Sequence, residues 1–132
     1  MRTQLHAILR MTLFVLSLTA LVTRADNTWS GGGSDANIDD SANWGGVNPA
    51  FDGSQIVTFA AGGTNASMDV AAGFAGLVFN ADSDFTITGT NVLSNGTNGI
   101  FVGIPSATPH TYTIAGSLSL NSIQPWTVTN NG

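Results

Sequence analysis

"FTITGTNVL", Phe85 to Leu93, and "YTIAGSLSL", Tyr112 to Leu120, are two versions of one pattern. Each runs aromatic, Thr, Ile, any residue, Gly, Thr or Ser, two further residues, then Leu. Phe85 matches Tyr112, Ile87 matches Ile114, Gly89 matches Gly116 and Leu93 matches Leu120, each 27 residues on. Apolar and hydroxyl-bearing residues alternate at the start of each copy, which is the period-two signature of a strand. A repeat in the twenties is about one coil of a β-solenoid, where each repeat stacks its apolar face on the next.

Short runs of the same kind fill the chain on either side. Candidate strands are residues 55–60, 67–70, 76–81 and 85–88, followed by 99–103, 112–115, 117–120 and 126–129. In the last of these Trp126 and Val128 alternate with Thr127 and Thr129, which points the indole and the valine inward. Asn95-Gly96, Asn98-Gly99 and Asn131-Gly132 are dipeptides suited to tight turns. No helical period appears after Val22. The class is therefore all-β. Strand spacing alone fits sandwiches, barrels and solenoids alike, and the repeat favours the solenoid.

The N-terminus is of a different character. Arg2 and Arg10 flank Met11 to Val22, an uncharged and mostly apolar run too short to span a bilayer as a helix. Residues 1–25 read as a signal-peptide helix cleaved after Ala25, with an uncleaved anchor as the alternative. The basic residues Arg2, Arg10 and Arg24 all lie in this segment. From Ala25 onward the chain has no Lys, Arg or Glu. It keeps Asp26, Asp35, Asp39, Asp40, Asp52, Asp69, Asp82 and Asp84, a formal charge of about −8 with no Lys or Arg to pair with them. Nucleic-acid binding, which is driven by Lys and Arg, is excluded as a function class, and so is adhesion to anionic membrane. The chain has no Cys. Thiol catalysis, zinc–thiolate sites and disulfide stapling are thereby ruled out.

The segment "TWSGGGSDANIDDSANWGGVNPAFDGSQIVTFA", from Thr28 to Ala60, resembles the start of bacterial proteins that carry autotransporter-associated β-strand repeats. The shared points are Trp29, Asn43-Trp44, Pro49, Asp52 and the strand Val57-Thr58-Phe59. The later "GLVFNADSDFTITG" and "YTIAGSLSLNSI" look like the family's coils of short strands. The resemblance implies a right-handed parallel β-helix, or solenoid segment, in an exported passenger protein. On this reading residues 26–54 form a capping segment with a Gly/Asp/Asn-rich loop. Residues 55–132 form the β-strand repeat region and continue into further repeats beyond Gly132. The alternative fold is a β-sandwich.

Three kinds of site are open to these residues. Asp35, Asp39 and Asp40 are Ca²⁺ candidates by their oxygen spacing. The EF-hand template fails, however, with Asp40 at its glycine position and Gly46 at its glutamate position. Trp29 and Trp44 are candidate sugar-stacking platforms, as in a carbohydrate-binding sandwich module, and the opposing expectation is that both pack in the core. Catalysis has little support. His110 is the one histidine after the signal segment and sits in a Pro-flanked loop, where a solvent-facing position is expected, and no nucleophile-elbow motif occurs. The expected function is a non-catalytic, cofactor-free passenger or adhesin-type segment at the bacterial cell surface or in the medium. It would meet the membrane only during export, and its partner class would be a cell-surface glycan or protein.

Overall fold

A computed structural model describes residues 27–60, 65–104 and 108–130, so the signal segment and the Asn131-Gly132 turn lie outside the described residues. Among the described residues nine strands form: β1 (Thr28–Trp29), β2 (Ile56–Ala60), β3 (Ala66–Ser67), β4 (Ala72–Asn80), β5 (Phe85–Thr88), β6 (Leu93–Ile104), β7 (Tyr112–Ala115), β8 (Leu118–Leu120) and β9 (Trp126–Asn130). One sheet has the order β1-β2-β4-β6-β8, with β9 also on β6, and the other has the order β3-β5-β7. The fold is all-β, and every strand pairing is parallel. That direction departs from the antiparallel pairing a β-sandwich would require.

Parallel neighbours need a crossover, which in most proteins is a helix. Here strands of the other sheet make it. Between β2 and β4 the chain passes through β3, and between β4 and β6 it passes through β5. Three ladders result. The first joins Trp29 to Phe59, Phe59 to Phe79, Phe79 to Val102 and Val102 to Val128. The second joins Asn37 to Ser67, then β3 to β5 to β7. The third joins Asp52 to Gly73, Ala72 to Leu93, and Leu93 to Leu118.

The repeat is present in space as well as in sequence, with one adjustment. Phe85 pairs with Tyr112 and Ile87 with Ile114, and a Cβ added at Gly116 would lie 2.9 Å from the Gly89 carbonyl oxygen. Leu93, however, pairs with Leu118 and not with Leu120, which is half exposed. The corner after Gly116 is two residues shorter than the corner after Gly89. A slip of two preserves which face points inward, so the ladder absorbs it.

The longer strands also differ from the expected ones. β4 begins at Ala72, and β6 begins at Leu93 and runs straight through Asn95-Gly96, so that pair is no tight turn. The bend comes further on. Phe74 pairs with Asn95 but Gly76 pairs with Gly99, which leaves two extra residues on β6. Asn95 is buried at that bend and donates to the Gln124 side-chain oxygen. Gly99 has φ of 77°, and a Cβ there would fall 1.9 Å from the Pro125 carbonyl oxygen. Only glycine fits.

The core is aromatic and continuous along the ladders. Phe59 and Phe79 stack at 5.3 Å with their planes 19° apart, and Phe85 packs 5.2 Å from Phe59. Trp29, Val57, Leu77, Ile87 and Leu93 are buried beside them. Trp126 and Val128, expected in the core, are 62% and 71% exposed. Their register beside Ile100 and Val102 does point them inward, but no described strand lies over them.

Three substitutions test this packing by chemical denaturation. Phe59→Ala should cost about 3–5 kcal/mol, because its ring bridges three layers. Gly99→Ala should cost about 2 kcal/mol or more, from left-handed strain combined with the backbone clash. Ile87→Asp should cost several kcal/mol, because a buried carboxylate would find no Lys or Arg partner; an unchanged midpoint would remove Ile87 from the core.

Candidate functional site

The loop from Ser30 to Asp52 holds most of the candidate residues, and its centre is the side chain of Asn43. That side chain is fully buried. Its Oδ1 accepts from the Gly33 N–H at 2.8 Å, and its Nδ2 donates to the Asp35 and Asn37 carbonyls, both at 3.0 Å. The Ser30 N–H and hydroxyl both donate to the Asn43 carbonyl oxygen. One side-chain amide therefore satisfies three backbone groups on the first arm of the loop. It is carried on a short 3₁₀ helix, Ser41–Trp44, whose N-terminus is capped by Asp40 accepting from the Ala42 N–H.

That helix places Trp44. Its indole is fully buried, its Nε1 donates to the Ile38 carbonyl at 2.7 Å, and its ring meets Trp29 edge-on at 5.1 Å. Trp29 is likewise buried. A pyranose stacks on an exposed aromatic face, and neither indole offers one. Both act as packing residues that close the first layer of the core.

The three aspartates proposed for Ca²⁺ have separate tasks. Asp35 accepts from the Asn37 N–H and side-chain amide, and Asp40 caps the 3₁₀ helix. Asp39 lies beside Asp69, a residue the sequence spacing did not single out, and Asp69 also accepts from the Ile38 N–H at 2.9 Å. The Asp39 carboxyl is held above its ordinary value of 3.8, first by a hydrogen bond shared with Asp69, then by desolvation and by the negative charges of Asp69 and Asp35. Among the described residues no group of three His, Cys, Asp or Glu is placed to hold a metal ion.

His110 is not solvent-facing as expected. Its side chain is only 12% exposed, with Nε2 at 2.9 Å from Asp82 Oδ1 and Nδ1 at 3.8 Å from Asp84 Oδ1. Carboxylates from two positions of the turn after β4 therefore face the one imidazole. Asp84 also accepts from the Thr111 N–H at 2.7 Å, and the Tyr112 hydroxyl donates to the Ala81 carbonyl. Burial, followed by the charges of Asp82 and Asp84, pushes the Tyr112 phenol above its ordinary value of 10.0. The cluster ties the turn after β4 to the start of β7. Loop residues with such partners could not be paired from sequence spacing alone, because 28 residues separate His110 from Asp82.

Asp39 and Asp52 respond to pH with opposite signs. The raised Asp39 carboxyl stabilises the fold when protonated, and that contribution is lost as pH rises through its folded value. Asp52 is held below 3.8 by hydrogen bonds from the Ser54 hydroxyl and N–H, and its contribution is lost as pH falls through the acid range. Thermal melts should therefore show Asp39→Asn equal to or above wild type at neutral pH, and Asp52→Asn below it. Asn43→Ala should cost about 1–3 kcal/mol at any pH, because it strips partners from buried backbone groups.

No protein-family model, curated protein or solved structure matches the chain.

Proposed function

We propose that the chain is a segment of a right-handed parallel β-helix, exported and non-catalytic, that serves as a stalk or passenger of a secreted or cell-surface protein. The observation that carries this reading is the order in which the chain returns. It visits the first, second and third ladder and then the first again, adding one parallel segment or bridge to each ladder on every circuit, with β4 and β6 each running from the third ladder into the first. A chain that grows in this way can lengthen without changing its cross-section.

The surface chemistry fits a scaffold better than a catalyst. Outward positions on the ladders carry Thr58, Thr86, Thr88, Thr113, Ser119 and Thr127, a neutral hydroxyl-bearing face. No Lys or Arg occurs after Arg24 to stabilise developing negative charge. The partner class that suits such a face is a cell-surface glycan or protein contacted over several coils. The N-terminal pattern and the likeness of residues 28–60 to autotransporter-associated β-strand repeats supply the export part of the proposal.

Export is the part to test. Produced in a bacterial host with its own N-terminus, the protein should be recovered outside the cytoplasm with Asp26 as its first residue by mass spectrometry. Recovery in the cytoplasm with residues 1–25 still attached would overturn the delivery route.

A further inference from the structure

We propose that the open groove at the third ladder is a binding site for a neutral linear polysaccharide, whose chain lies along the axis of the stack. The inference names a site for the glycan partner of the reading above and rests on that reading for the partner class.

The groove has a volume of about 310 Å³ and is built from residues 51–53, 71–73, 92, 94 and 121. These belong to four successive circuits. Asp52 bridges to Gly73, Gly73 pairs with Ser94, and the Asn121 N–H donates to the Asn95 carbonyl. Neighbouring strands lie about 4.8 Å apart, so the four positions span about 14 Å along the axis. A groove that crosses layers in this way takes a chain, and a single sugar ring would fill only part of it.

Close backbone packing keeps the middle of the groove bare. The Gly73 N–H donates to the Phe51 carbonyl and the Gly53 N–H to the Gly73 carbonyl, both at 2.9 Å. A Cβ at residue 73 would fall 3.2 Å from the Gly53 nitrogen, so a side chain there would press the two circuits apart. Phe51 and Val92, the latter 42% exposed, supply apolar walls.

Three polar groups are available along the groove. Asp52 Oδ1 accepts from the Ser54 N–H and hydroxyl, while its Oδ2 accepts from no other described residue. Asn121 Oδ1 accepts from the Ser119 hydroxyl, which leaves its Nδ2 without a partner among the described residues. The Ser94 hydroxyl has none among them either. Apolar walls with a few placed polar groups are the usual make-up of a ligand site.

These groups select the ligand. The Ser54 bonds hold the Asp52 carboxyl below its ordinary value of 3.8, so at neutral pH it is an ionised acceptor for a ligand hydroxyl. Asp52 is the one charged residue lining the groove, and no Lys or Arg follows Arg24. An acidic polysaccharide would therefore meet repulsion and no counter-charge. An organic cation would pair with Asp52 but leave the Asn121 donors facing a charge of their own sign. A neutral sugar chain uses every group. Its hydroxyls donate to Asp52, its oxygens accept from Ser94 and Asn121, and its C–H faces lie against Phe51 and Val92.

Amide NMR shifts of the purified, isotope-labelled protein titrated with cellohexaose, mannohexaose and chitin hexasaccharide test this. At least one of these neutral probes should shift the Gly53, Gly73 and Ser94 signals saturably. Asp52→Asn, which removes the charged acceptor, and Ser94→Tyr, which obstructs the groove, should each weaken that binding about tenfold or more. Asp52→Asn also lowers stability, so Ser94→Tyr, at a half-buried position with an unbonded hydroxyl, keeps the test separate from folding. Thr88→Asp, exposed on the second ladder, should leave binding unchanged. Equal binding of hexagalacturonate or spermidine would overturn the proposal, as would binding that survives both groove variants. Shifts centred on another face would overturn the groove and keep the glycan partner, whereas no shift with any neutral probe would overturn both. Export falls or stands separately, on the N-terminal processing experiment.

Discussion

In-register parallel pairing is the constraint on which the rest of this structure depends. Each residue sits over a counterpart one circuit later and points the same way, so the two share an environment. An aromatic on one layer therefore calls for an aromatic or a comparable apolar group on the next. Trp29, Phe59 and Phe79 meet that demand on the first ladder, and Phe85 and Tyr112 meet it on the second. The stacked Phe59–Phe79 pair is the densest expression of it. A polar inward residue must bring its own partner, as Asn95 does with Gln124.

Absence of Lys, Arg and Glu after residue 24 shifts the remaining polar work onto amides and aspartates. Asp35, Asp40, Asp52, Asp69 and Asp84 each accept a backbone N–H, which fixes turns that a ladder cannot reach. Asn43 does the same with a neutral side chain, and Asn91 donates to the Met68 and Asp69 carbonyls at another corner. Hydrogen bonds to charged acceptors are the stronger kind, and on an otherwise apolar and hydroxyl-bearing chain they hold the corners. The cost is a collection of like charges, visible where Asp39 meets Asp69.

The two ends of the stack are unlike. One is closed by a loop that buries two indoles and gathers acidic groups, and at the other, among the described residues, Trp126 and Val128 are exposed. A stack of layers built this way has a direction. The residues first considered as ligand-binding, Trp29, Trp44 and the nearby aspartates, belong to the closed end and contribute packing and turn geometry.

Much of the architecture was legible in the sequence, because strand alternation and the 27-residue repeat are local patterns written by burial. They placed β5 and β7 with their pairing, and the Gly89–Gly116 approach comes from the same match. The charge distribution, too, was plain from composition. What only the tertiary structure decided are relations across circuits of unequal length: the slip that pairs Leu93 with Leu118, the bend after Asn95, the meeting of Asp39 with Asp69, and the seating of His110 between Asp82 and Asp84. Corner lengths set these relations, and a corner's length shows in sequence only after its two flanking strands have been paired. Exposure of Trp126 and Val128 was beyond the sequence for a related reason: alternation tells which way a side chain points, while burial depends on whether another layer covers it.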